Sequence, residues 1–368
     1  MQLNIDCEGP VTQNDNAFEL CQEFIPDGGR FFSIISKYDD FLADVERRPG
    51  YKAGDTLKLI LPFLKAFGIT DAIMEEFSEK TLVLLPGSEV MLPKAAEKLP
   101  TFIISTSYRP YLQALCKFTG FPLENIYCTE VSLDRYDISE SERERLREMA
   151  KEIASMKLLD WPENAGGMND LAAEDADVKR RLDEIFWDEI AKMDAGRMLK
   201  EVNPVGGVEK ARAVEHSLGR TGNRPDQVIY AGDSITDVQA LELVRDGGGM
   251  AIAFNGNRYA IKAAEWAAIS PTTAVIGALA ECVEQLGVEP LADRARACEG
   301  ILIQQDLVAL FHQVHVNSRY IELLESSAET AGECRLLLLE SIQDLDGLIA
   351  MSEAFRKTVR GKQVGDLG

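Results

Sequence analysis

The stretch Tyr230-Ala231-Gly232-Asp233-Ser234-Ile235-Thr236-Asp237 decides the fold. The apolar run from Gln227 to Ala231 reads as a buried strand, and Asp237 to Arg245 reads as a helix. Gly232-Asp233-Ser234 is then the turn at the strand's carboxyl end. Carboxylates in such a turn face the usual ligand crevice of a parallel sheet. Asp233 is placed to hold Mg²⁺, an ion that takes oxygen ligands and uses one or two carboxylates plus substrate phosphate. Asp237, one turn further on, stands behind it.

The same rhythm extends outward. A helix from Val208 to Leu218 precedes the strand, and a strand from Met250 to Phe254 follows. Leu3 to Asp6 is a short strand, and Thr101 to Ser105 is a buried-type strand with a helix from about Arg109. Asn125 to Glu130 is a third strand of this kind. Strands alternating with helices predict an α/β fold with a Rossmann-like parallel sheet. Asn14 to about Glu79 is helical, Pro86-Gly87 breaks the chain, and Ser88 to Lys98 is helical again. Residues 131–199 change character, with a charged helix at Ser141 to Glu148, a loop from Trp161 to Asp177 and a helix near Val178 to Lys192. The tail from about Thr273 reads as helical. Ile303, Leu307, Leu310, Val314, Asn317, Ile321 and Leu324 make a narrow seam, and a second runs from Cys334 to Leu348. Ser326 to Gly332 suits a turn between them. Such a seam serves an intramolecular helical hairpin over the core, a homodimer or docking to a protein partner.

Composition narrows the function classes. The 368 residues are 46% hydrophobic and 27% charged, so the chain is neither disordered nor collagen-like. A net charge of −22 argues against nucleic-acid binding, which depends on basic side chains, and against an anionic membrane surface. No apolar stretch approaches the ~20 residues of a membrane span, so no membrane insertion is expected. The first residues carry no basic or apolar leader pattern, and a cytoplasmic location is the expectation. Seven cysteines without a C-x-x-C spacing disfavour a disulfide framework, a zinc ribbon or a local iron–sulfur motif. His312 and His315 lie three apart on the tail, with no third metal ligand at a suitable spacing.

Three further elements join Asp233 in one chemistry. Asp6 and Glu8 sit just beyond the first strand, in Asp6-Cys7-Glu8-Gly9-Pro10-Val11-Thr12. One carboxylate can attack phosphorus, and one two residues on can protonate the leaving oxygen and then deprotonate water. Ser105, Thr106 and Ser107 offer hydroxyls and amides at a helix start, an anion site. Lys210 opens a helix after Gly206-Gly207, where its charge can neutralise a phosphoryl group. Arg109 is a further anion ligand candidate, while Lys37 to Asp40 and Arg47-Arg48 read as solvated faces.

In order and spacing these elements resemble the four motifs of the haloacid dehalogenase (HAD) superfamily. The resemblance implies a Mg²⁺-dependent phosphatase with an aspartate nucleophile. Asp6, Glu8, Ser105 and Lys210 would be catalytic, and Asp6, Glu8, Asp233 and Asp237 would serve the metal. Gly249 to Gly256 looks like the segment that follows the fourth motif. The helical block 14–84 resembles the cap of phosphoserine-phosphatase-like members, and Asp15 falls where that subgroup keeps an acid meeting the substrate. Thr106 and Arg109 complete the substrate set. Residues 1–13, 85–130 and 200–272 would form the α/β core, 14–84 the cap, 131–199 a helical insertion and 273–368 a helical extension. The N-terminal third also resembles proteins labelled energy-converting hydrogenase A subunit R, which implies a hydrogenase-associated partner. Glu8 departs from the HAD pattern, where Asp is usual. Its carboxyl reaches about an ångström further, and misplacement of that order costs on the order of 100-fold in rate. Either the backbone has shifted to suit Glu8, or hydrolysis is slow and the site mainly binds Mg²⁺ and phosphate.

Overall fold

The computed structural model describes residues 1–365, with the side chains of residues 329 and 330 outside the description. Residues 366–368, the end of the tail read as helical, also lie outside it. One sheet organises the chain. Its strands are β1 (Gln2–Ile5), β2 (Thr101–Tyr108), β3 (Ile126–Thr129), β4 (Val228–Gly232), β5 (Met250–Phe254), β6 (Trp266–Ile269), β7 (Ile301–Ile303) and β8 (Arg335–Leu338). They lie in the order β3-β2-β1-β4-β5-β6-β8-β7. The pairings from β3 through β6 are parallel, and β8 pairs antiparallel with both β6 and β7. The α/β reading with a Rossmann-like sheet therefore holds.

The two faces of β1 show how period-two alternation builds the core. Leu3 and Ile5 join the large apolar cluster on one face. Gln2 and Asn4 point the other way and donate to Ser217 Oγ at 2.8 and 2.9 Å, under the helix Val208–Thr221. Burying such groups is tolerated because each finds a partner. Strand order makes β1 central, so the carboxyl ends of β1, β2 and β4 sit side by side.

The helices of 16–81 and those of 140–201 share one hydrophobic cluster, in which Phe31, Phe63 and Phe186 meet edge to face. This helical layer stands over the carboxyl ends of the strands, where Leu57 O accepts a bond of 2.5 Å from Tyr108 Oη of β2. Helix begins at Ala173 rather than near Val178, so the expected loop is shorter at its end.

The tail departs from a wholly helical reading. Ile301–Ile303 and Arg335–Leu338 are strands that extend the sheet beyond β6. Leu336, Leu337 and Leu338 are buried between strands on either side, which a continuous apolar run satisfies better than a helix face. The seam is also divided. One helix, Gln304–Gln313, ends before Val314, and Asn317 caps a second, Ser318–Ala331, by accepting from Arg319 N. That helix runs through Ser326 to Ala331, and the turn falls at Gly332. Leu307, Leu310, Val314, Ile321 and Leu324 are buried in the chain's own core, so the seam is spent inside the molecule. Among the described residues no helix is long and apolar enough to cross a membrane.

Candidate active site

Asp6 follows β1 directly and is buried. Its Oδ1 accepts from Cys7 N at 2.7 Å, and its Oδ2 lies 2.6 Å from Lys210 Nζ. Lys210 is fully buried and reaches Asp237 Oδ1 at 2.7 Å with the same ammonium. Asp237 also accepts from Tyr230 Oη at 2.7 Å and from the amides of Asp233 and Ser234 at 3.0 and 3.1 Å. Gly232 is required here, because a Cβ on it would lie 2.4 Å from Asp237 Cγ. Asp237 is thus the group that fixes Lys210 and the β4 turn.

The electrostatics follow from burial and company. Burial drives the Asp6 carboxyl up to about 8; Lys210 pulls it down, and Asp237 and Asp233 push it up. Burial alone would pull the Lys210 ammonium down, but Asp237 and Asp6 outweigh it and hold it above its ordinary range. Asp237 lies below the usual carboxylate range, since Lys210 and the hydrogen bonds to it outweigh burial. Lys210 therefore belongs first to Asp237 and second to Asp6.

Asp233 ends the turn after β4 and is 2% exposed. Two arginines of the helix Leu345–Arg360 converge on it. Arg356 Nη1 bonds both Asp233 Oδ2 and, at 3.0 Å, the backbone carbonyl of Asp233. Arg360 Nη1 reaches the same Oδ2 at 3.0 Å. Gly9 permits this arrangement. Its φ is +107°, and a Cβ there would lie 2.0 Å from Asp233 Oδ2.

Glu8 and Asp15 meet at the start of the helix Asn16–Phe24. Asn16 N donates to Glu8 Oε1 at 2.8 Å, and Phe18 N donates to Asp15 Oδ1 at 2.9 Å, so Asp15 is an N-cap. Burial raises the Glu8 carboxyl well above its ordinary range, and the charge of Asp15 adds to it. Burial also raises Asp15, with Arg360 and Arg356 among the groups pulling it back.

A cavity of about 90 Å³ joins these groups, lined by Asp6, Glu8, Asp15, Thr106, Asp233 and the two arginines among others. Thr106 Oγ1 is buried there without a hydrogen-bond partner. Ser105 does not line the cavity; its Oγ accepts from Ser107 N at 3.2 Å. Strand β2 runs on to Tyr108, with an irregularity in its register with β3 after Ile104, and Thr106 is its residue that lines the cavity. Arg109 does not reach the site either. It pairs with Glu130 at 2.6 Å and is about one-third exposed.

Asp6, Asp233 and Asp237 each present an oxygen within 4.8 Å of the others, the one group of this kind among the described residues. An all-oxygen carboxylate set suits a hard divalent cation. Asp6 and Asp233 are the members open to the cavity, and Asp237 stands behind them. The residues therefore fit the ion chemically, but Arg356 and Arg360 hold one oxygen of Asp233.

Arg356 and Arg360 are the site residues that the sequence reading omits. Their signal is spacing: Leu348, Ser352, Arg356 and Arg360 recur every fourth residue, and the first three are buried. An amphipathic stripe that begins apolar and ends in two arginines places charge inside the molecule.

No family model and no curated sequence matches the chain. A solved structure of gene product AF1437 from Archaeoglobus fulgidus is similar at 30% identity and TM-score 0.76, covering 100% of this chain and 98% of that one. A HAD family hydrolase from Salmonella enterica serovar Typhi aligns at 12% identity and TM-score 0.42, over 72% of this chain and 65% of that one.

Proposed function

The chain belongs to the family of gene product AF1437 from Archaeoglobus fulgidus, and from its site geometry we propose a Mg²⁺-dependent hydrolase of small phosphate monoesters. The observation that carries this reading is the buried Asp6–Lys210–Asp237 array at the ends of β1 and β4, with Asp233 beside it. Asp6 Oδ2 attacks phosphorus, the ester oxygen leaves, and an aspartyl-phosphate forms. Glu8, kept protonated by burial, gives its proton to the leaving oxygen. As carboxylate it then takes a proton from the water that hydrolyses the intermediate. Thr106 Oγ1 donates to a phosphoryl oxygen, and Lys210 opposes the burial that favours protonated Asp6, with a bound divalent cation supplying the further charge that its carboxylate form would need. Asp6 and Asp233 would hold Mg²⁺, with the Glu8 backbone carbonyl as a third donor, and its charge lets an anionic nucleophile approach a dianionic phosphate.

In this reading residues 1–13, 85–130 and 200–272 form the catalytic core. The segments 14–84 and 131–199 act together as a cap that excludes water. Phosphate release from p-nitrophenyl phosphate and a phosphometabolite panel, with saturating Mg²⁺ and with EDTA, tests it. Turnover that requires the metal and disappears in Asp6→Asn supports the reading. Turnover in the wild type no greater than in that variant overturns it.

A second reading is favoured by the two guanidinium groups on Asp233 and by Glu8 in place of Asp. It makes the chain a weakly active or inactive binding protein, including an accessory subunit of a hydrogenase-type assembly. Such docking would use a surface other than the buried seam.

A further inference from the structure

The helix Leu345–Arg360 runs from the sheet into the site. Its first half is anchored. Leu348 is buried with Ala267, Ile269 and Leu337, and Ser352 Oγ donates to Gly256 O at 2.7 Å. Glu353 accepts from Arg258 N at 3.2 Å. Its last turn carries Arg356 and Arg360 onto Asp233. The chain then turns at Gly361, φ +82°, and Val364 joins the hydrophobic cluster of the helical layer. This one segment ties the sheet to the helical layer across the mouth of the site.

Three cavities meet along it. The site cavity, about 90 Å³, is walled by Arg356 and Arg360. A cavity of about 580 Å³ is walled by Gln363, and one of about 280 Å³ by Glu353, Lys357 and Gly365. The largest shares Ser36 and Asp40 with the site cavity.

The arginines are committed to the protein. Besides Asp233, Arg360 donates to the carbonyls of Gln13 and Asn14 at 3.0 and 3.2 Å, so it fastens the strand-to-cap connection as well. Two guanidinium groups on one carboxylate oxygen supply the charge that a divalent cation would bring. A cation bound at that oxygen would meet both at close range, where like charges in a buried site repel strongly.

We propose that the C-terminal segment is a built-in plug: Arg356 and Arg360 hold Asp233 in place of the divalent cation, and cation and substrate gain the site when the segment withdraws. This rests on the reading of Asp6 and Asp233 as cation ligands. The probe is Mn²⁺, titrated by electron paramagnetic resonance into the full chain and into Arg356→Gln/Arg360→Gln. Removing two charge-assisted contacts should tighten Mn²⁺ binding by on the order of tenfold or more. The variant Arg356→Lys/Arg360→Lys keeps the charge and should stay near the wild type. In the wild type, saturating Mn²⁺ should speed amide hydrogen exchange across residues 353–365. Equal or weaker Mn²⁺ binding in a folded Gln variant, or exchange unchanged by Mn²⁺, overturns the plug. If the Gln variant does not fold, the exchange measurement decides alone. Phosphate release that is lost in Asp6→Asn, measured at saturating Mg²⁺, would leave the hydrolase reading standing even if the plug fails.

Discussion

Replacing Lys210 by Met removes the ammonium that bonds Asp237 at 2.7 Å and Asp6 at 2.6 Å, while filling its space. Asp237 is the ionised partner, held below the usual carboxylate range chiefly by Lys210. It then has two options. Left charged and unpaired in a buried site, it costs roughly 3–5 kcal/mol. Protonated instead, at about pH 7 and from an ordinary pKa of 3.8, it costs about 4 kcal/mol at 1.36 kcal/mol per pH unit. The two routes agree on a loss of about 4 kcal/mol. Because the folded-state pKa of Asp237 is depressed, its contribution is present above the unfolded pKa and is lost as pH falls. In the variant a protonated Asp237 costs less as pH approaches 3.8, so the gap should narrow to about 2 kcal/mol near pH 5, where the wild-type contribution is still complete. Urea unfolding at the two pH values measures this. Adding Asp237→Asn should recover part of the loss, since the orphaned charge is gone. A loss below about 1 kcal/mol at neutral pH, or one independent of pH, would refute the reasoning.

Three other perturbations have definite outcomes. Gly9→Ala places a methyl 2.0 Å from Asp233 Oδ2 at a φ of +107° and should destabilise by about 1–3 kcal/mol, read by thermal unfolding; unchanged stability would contradict the packing. Tyr230→Phe removes a buried donor to Asp237 and should cost about 1.5–3 kcal/mol by urea unfolding, with full stability the contrary result. Asp39 is pushed from 3.8 to about 7 by burial and then by Asp55, so its share of stability is complete below about pH 4 and lost as pH rises through about 7. Asp39→Asn can keep the acceptor for Gly54 N and should gain up to about 4 kcal/mol over wild type near pH 8, with no gain near pH 4; a flat difference would count against it.

The α/β core was legible because its strands are short apolar runs ending in Gly, Asp or Ser, and their ends coincide with the chemistry. Asp6, Lys210, Asp233 and Asp237 come together as their places at strand ends and a helix start imply. Thr106 rather than Ser105 lines the cavity, and residue spacing does not say which face of β2 meets it. Arg109 looked like an anion ligand from its position alone, yet Glu130 on the neighbouring strand end claims it. The tail misled for a different reason. Period-3.5 spacing from Ile303 to Leu324 is present, and Leu307, Leu310, Val314, Ile321 and Leu324 are buried while Ile303 is exposed. But Asn317 caps a new helix inside it, and Leu336 to Leu338 can complete a sheet that only the folded core provides. The stripe Leu348, Ser352, Arg356 and Arg360 signals buried charge, but the pairing with Asp233 spans more than a hundred residues, so spacing does not name the partner.

The central claim is that Asp6 is a nucleophile that carries phosphate. Wild-type protein turning over p-nitrophenyl phosphate with saturating Mg²⁺ should be quenched in acid and its peptides weighed. The account predicts one added phosphoryl group, released by hydroxylamine, on the peptide holding Asp6, and none in Asp6→Asn. Turnover with no adduct on that peptide, or an adduct that survives in Asp6→Asn, would contradict it.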